Sequence, residues 1–104
     1  MEKFKVIWSN QAFEDILKIE SYLSTFSPAY ARSFSSMIIE KGSSLASFPK
    51  RGRVIAELNR EDFRELIIKE YRMMYHILDT QRVEIIAIHP CSLPLSSGLK
   101  YFEE

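Results

Sequence analysis

Hydrophobic and polar positions along this chain follow two different periods. Between Gln11 and Thr25, Ala12, Ile16, Ile19 and Leu23 recur every three or four residues, while Glu14, Asp15 and Lys18 fall elsewhere. That spacing puts one apolar stripe on an amphipathic helix. Ser9 or Asn10 offers an oxygen to cap its free backbone N–H groups. Ser27 and Pro28 restart the pattern with a capping hydroxyl and then a proline at the first helical position, where its missing N–H costs nothing. Tyr30, Phe34, Met37 or Ile38, Leu45 and Phe48 carry a second stripe to about Ser47, and Pro49 with Arg51-Gly52 ends it. So short a connection predicts an antiparallel helical hairpin over 11–48.

Elsewhere the period is two. Lys3–Trp8 precedes the helices, and Arg53–Leu58, Phe63–Lys69, Tyr71–Leu78 and Arg82–His89 follow them. These runs are rich in Val, Ile, Tyr, Phe and Met, with short polar breaks that force successive strands to pair antiparallel. The order β-α-α-β-β-β-β predicts an α+β fold, the hairpin packed on one face of an antiparallel-rich sheet and the other face free for a ligand. Residues 90–104 have no period and are expected to form an irregular tail. The chain is thus expected to be one domain over 1–104, with its core within 3–95. If Asp79-Thr80-Gln81-Arg82 closes the last hairpin, Arg72 falls opposite His89 on one face, with Cβ atoms about 5 Å apart. An odd loop would destroy that pairing.

Composition narrows the function classes. The 104 residues are 46% hydrophobic and 27% charged with 3 Gly and 4 Pro, which excludes a collagen-like or disordered chain. No apolar run approaches the ~20 residues that span a bilayer, and Met1–Lys5 lacks the apolar core of a secretory signal, so a cytoplasmic location without membrane partners is expected. The single Cys91 cannot form an intrachain disulfide, and with two histidines it is too little for structural zinc. Gly42, Gly52 and Gly98 form no phosphate-cradling loop, and no ordered Cys–His–Asx signature surrounds Cys91. No metal or cofactor is expected. Basic and acidic residues balance at 14 each, but residues 50–72 hold seven basic against five acidic. A solvated face explains that surplus as well as a phosphate site does.

Several segments resemble the RelE/ParE superfamily of bacterial toxins. They are Ala12-Phe13-Glu14-Asp15-Ile16 after the first strand, and Leu45-Ala46-Ser47-Phe48-Pro49 followed by Gly52-Arg53-Val54. The strongest are Phe63-Arg64-Glu65-Leu66-Ile67, Tyr71-Arg72-Met73-Met74-Tyr75 and Arg82-Val83-Glu84-Ile85-Ile86-Ala87-Ile88-His89. Their order and spacing match over about residues 3–95. The resemblance implies the toxin of a two-component toxin–antitoxin module. Some relatives cut mRNA in the ribosomal A site and others block DNA gyrase; the expected activity is ribosome-dependent cleavage of mRNA, with inhibition of DNA gyrase without catalysis as the alternative.

Metal-free RNA cleavage needs a base for the 2′-hydroxyl, a cation for the crowded phosphate and an acid for the leaving oxygen. Glu57, Arg72 and His89 supply one candidate each, and resemble in position the Glu, Arg and His of ribonuclease members. The plain alternatives are a solvated Glu57, an Arg72 paired with Glu57 or Glu84, and a structural His89. Arg64 and Lys69 could position RNA phosphates or merely solubilise the chain. Two features favour the gyrase-type alternative. The sequence pI is about 6.7, and no arginine follows the last strand, where many relatives carry one. The resemblance also implies an antitoxin encoded nearby. Phe13, Leu17, Tyr22, Phe26, Tyr30 and Ile39 fall off the main core stripes and are the expected docking groove.

Overall fold

The computed structural model describes residues 3–93, and the part of the expected 90–104 tail from Pro94 onward lies outside them. Ser9 caps helix α1 (Asn10–Ser24): its hydroxyl accepts the Ala12 N–H at 3.0 Å and donates to the Ile86 carbonyl at 2.6 Å. One side chain therefore starts the helix and ties it to the sheet. Ser27 caps α2 (Pro28–Ser43) by accepting the Tyr30 N–H at 3.1 Å, with Pro28 in the first turn. Among the described residues no helix is long and apolar enough to cross a membrane.

Strands β1 (Lys5–Trp8), β2 (Arg53–Val54), β3 (Phe63–Ile68), β4 (Tyr71–Ile77) and β5 (Arg82–Pro90) form one sheet in the order β1-β5-β4-β3-β2. β1 runs parallel to β5 and the remaining neighbours are antiparallel. The predicted α+β order and the helical hairpin on one face are both present. The main core joins Ala12, Phe34, Ile38 and Leu45 of the helical layer to Met73, Tyr75 and Ile85 of the sheet. Gly42, a weak helix former, lies where the Trp8 ring crosses α2, and a Cβ there would stand 2.5 Å from Trp8 Cζ2.

Four expectations require correction. The second helical stripe does not reach Phe48, which is 64% exposed, because the 3₁₀ turn Ser44–Ala46 shifts the helical phase after Ser43. The Arg53–Leu58 strand stops at Val54. The Leu58 and Asn59 N–H groups instead donate to the Ile55 carbonyl at 3.1 and 2.9 Å, with Asn59 left-handed at φ 51°. That tight turn sends Ile55 and Leu58 to one side, whereas an extended chain would separate them.

The third correction follows from the second: the far face of the sheet is not open across its middle. Ile55 and Leu58 cover it, packing on Phe63, Met74, Ile86 and Ala87 as a second core. The fourth concerns the last hairpin. Ile77 pairs with Val83, so its loop is odd, which alone would offset Arg72 from His89. A bulge beside Met74 and Tyr75 takes up Ile86 as an extra residue, and Arg72 lies opposite His89 after all.

Candidate functional site

Tyr71, Met73 and Tyr75 of β4 face the main core, so the alternation of a strand turns Arg72 to the opposite face. There the turn after β2 brings Glu57 over it. Arg72 Nη1 and Nη2 donate to Glu57 Oε2 and Oε1 at 3.1 and 3.0 Å, a bidentate pair. Arg72 Nε donates to Glu65 Oε1 at 2.6 Å, and Arg53 Nε donates to Glu65 Oε2 at 2.8 Å. The result is a chain of alternating charge, Arg53–Glu65–Arg72–Glu57. Glu65 is 3% exposed and the Arg72 side chain 10%, whereas Glu57 and Arg53 reach solvent.

The bonds from Arg72 hold the Glu57 carboxyl below its ordinary range, outweighing the opposing effect of burial. The hydrogen bond to Glu57 likewise raises Arg72 further, against the effect of its own burial. The cluster floors a depression of about 380 Å³, whose lining includes Arg53, Glu57, Glu65, Arg72 and Cys91. His89 sits beside Arg72 in register, and its Nε2 is buried without a hydrogen-bond partner among the described residues.

The structure thus joins Glu57 to Arg72 and sets His89 next to them, but places the two candidate phosphate ligands elsewhere. Arg64 lies on the helix side of β3, its guanidinium donating to the carbonyls of Glu61 and Gly52 at 3.0 and 2.9 Å. Lys69 stands exposed in the β3–β4 turn with φ 56°. Glu65 is the partner that sequence reasoning missed. The signal was available: Glu65 shares a face with Phe63 and Ile67, and the turn at Lys69-Glu70 sets Ile67 opposite Arg72, one diagonal away.

A second cluster holds the flap between β2 and β3. Arg60 donates to both Asp62 oxygens at 3.1 and 2.7 Å and lies 4.7 Å above the Phe63 ring. His76 stacks on Phe63 at 4.0 Å, with Nε2 2.9 Å from Asp62 Oδ2. Burial opposes ionisation of Asp62, but the bonds from His76 and Arg60 prevail and hold its pKa down.

On the helical hairpin, Phe13, Leu17, Tyr22, Phe26, Tyr30 and Ile39 are all exposed, Phe26 at 74%. They form more than one patch. At about 100° per residue Tyr22 lies half a turn from Phe13, so Phe13 and Leu17 flank the buried stripe on one side and Tyr22 on the other. Tyr22 meets Phe26 edge-on at 5.4 Å, and Tyr30 packs on the buried Phe34 at 5.9 Å, which in turn meets Tyr71 at 5.6 Å.

A helical hairpin packed on this five-stranded sheet is the fold of the RelE/ParE superfamily of type II toxins. The family model described as the ParE toxin of the type II toxin–antitoxin system parDE matches residues 6–92, and the chain belongs to that family. It is 29% identical over 75 residues to Toxin RelE2 of Caulobacter vibrioides, covering 72% of this chain and 82% of that one. The chromosomal ParDE toxin–antitoxin system from P. aeruginosa contains a chain of the same fold, with a TM-score of 0.69 at 16% identity, covering 85% of this chain and 96% of that chain.

Proposed function

We propose that this toxin arrests growth by binding its target without cutting RNA, the target being DNA gyrase as for the gyrase-blocking members of the superfamily. The observation that carries this reading is the full commitment of Arg72. Its Nε, Nη1 and Nη2 all donate to carboxylates. Metal-free RNA cleavage needs a cation free to meet the charge growing on the phosphate. Here Arg53 and Arg72 are matched by Glu57 and Glu65, and the four charges cancel. A phosphate could enter only by displacing Glu57 from a bidentate pair. A carboxylate held below its usual pKa is also a poor proton acceptor.

One observation favours a second reading, ribosome-dependent mRNA cleavage: Arg72 is paired in register with His89 and bonded to Glu57. The two readings separate on Glu57→Gln, which keeps shape and removes the carboxylate. Under the binding reading the variant arrests growth within about twofold of the parent, a purified gyrase assay shows blocked supercoiling, and primer extension finds intact mRNA. Cuts inside translated codons that vanish in Glu57→Gln, with the fold retained, would establish cleavage instead.

For the antitoxin, we propose that one segment straddles α1 and covers both exposed flanks, Phe13 and Leu17 on one side and Tyr22 and Phe26 on the other. Spaced apolar anchors of this kind suit a segment that folds on binding. Leu17→Glu and Phe26→Glu charge one flank each. Each variant should weaken co-purification with the neighbouring gene product at least tenfold while leaving the circular dichroism spectrum unchanged. Undiminished capture by both folded variants would place the antitoxin elsewhere.

A further inference from the structure

We infer that the β1–β5 corner of the sheet is a contact surface for the phosphate backbone of duplex DNA. The setting rests on the gyrase reading, since the substrate of that target is DNA. The surface itself is argued from charge. Phe4, Val6 and Trp8 pack against the main core, so Lys3 and Lys5 project from the opposite face. Val83 and Ile85 are buried in that core too, which turns Arg82 the same way. The parallel register sets Lys5 directly beside Arg82.

Among the described residues, Lys3, Lys5, Gln81 and Arg82 line a shallow depression of about 430 Å³, with three cations, one amide and no acid. Arg82 has a carboxylate partner, Asp79 at 2.9 Å, which matches part of its charge and leaves Lys3 and Lys5 as the principal cations of the surface. Neither lysine has an ion-pair partner among the described residues. Two like charges side by side on neighbouring strands repel, and Asp79 offsets only Arg82. An anion between them relieves that repulsion and meets the local field head on.

Among the described residues no aromatic ring lines the depression to carry an unstacked base, and cations alone suit a duplex held by its backbone better than single-stranded RNA. Contacts of this kind carry no sequence preference and weaken steeply with salt.

The test uses the full-length toxin and a fluorescent duplex of about 20 base pairs and arbitrary sequence, its anisotropy followed between about 50 and 200 mM salt. The parent should bind with a log–log salt slope of roughly −2 to −3, each neutralised phosphate adding about −0.9. Lys3→Ala/Lys5→Ala removes two exposed cations and should flatten the slope by about 1.8. It should also cut affinity at the lowest salt at least tenfold. Binding by the folded double variant with the parent's affinity and slope overturns the surface, as does absence of duplex binding by the parent. Tighter binding of a single-stranded RNA of equal length overturns the assignment to DNA. Because gyrase is absent from this assay, its failure leaves the supercoiling result standing, and the converse also holds.

Discussion

Arg72→Ala should lower folding stability by about 3–5 kcal/mol in urea unfolding, the cost of breaking a buried ion pair by removing one partner. The size follows from what is left behind. Glu65 is 3% exposed and would keep only Arg53, whose side chain is 69% exposed and is drawn outward by water. Glu57 would lose its bidentate partner and, with it, the bond that holds the turn after β2 over the second core. Replacing both buried charges at once, as Arg72→Met/Glu65→Leu, should recover most of the loss, since an apolar pair of similar volume leaves no charge stranded. A loss below about 1 kcal/mol for Arg72→Ala, the range of exposed pairs, would mean the cluster is solvated, and the binding reading would lose its support.

The same pair gives the toxin an acid limit. The folded-state pKa of Glu57 is depressed, so its contribution is complete above the ordinary carboxylate range. It disappears as pH falls through the lowered value. Glu57→Gln should therefore flatten the acid side of the stability profile and leave the neutral side nearly level.

Gly52→Ala should cost about 3 kcal/mol, an overpacking penalty with a broken hydrogen-bond relay added. For a domain of this size that is a drop in Tm of roughly 12–24 °C. A Cβ at Gly52 would stand 2.6 Å from the Glu65 carbonyl oxygen and 2.7 Å from the Tyr75 hydroxyl. Neither can withdraw. The Glu65 residue is paired with Arg53 across β2 and β3, and the Tyr75 hydroxyl accepts the Gly52 N–H at 2.9 Å while donating to the Pro49 carbonyl at 2.7 Å. Relief can come only by lifting β2 from β3, which also pulls Arg53 away from Glu65. Adding Tyr75→Phe makes room beside the new methyl and should restore part of the loss. An unchanged Tm for Gly52→Ala alone would show that the 49–52 turn adapts freely.

Most of the fold was legible because its signals are local. The capping hydroxyls of Ser9 and Ser27 and the stripe from Ala12 to Leu23 each depend on neighbours within a few residues. The exposure of Phe13, Leu17 and Tyr22 is local in the same way, because the helical period of α1 separates its buried stripe from its flanks. The candidate site was legible only in part. An even loop predicts the Arg72–His89 pair, and the structure reaches the same pair by another route. The odd loop and the bulge at Ile86 are each a shift of one residue, and they cancel.

By itself, then, the amino-acid sequence determined the two helices, four of the five strands, the order of the elements and the family, since propensity and periodicity act over short stretches of chain. Only the tertiary structure decided what surrounds Arg72. The turn at Ile55–Asn59 that carries Glu57 forms because Ile55 and Leu58 bury themselves against Met74 and Ile86, residues far along the chain. Glu65 reaches Arg72 only when β3 and β4 are paired. Whether an arginine is a free cation or a neutralised one depends on carboxylates brought from two other segments. That is a long-range packing outcome which no local pattern encodes.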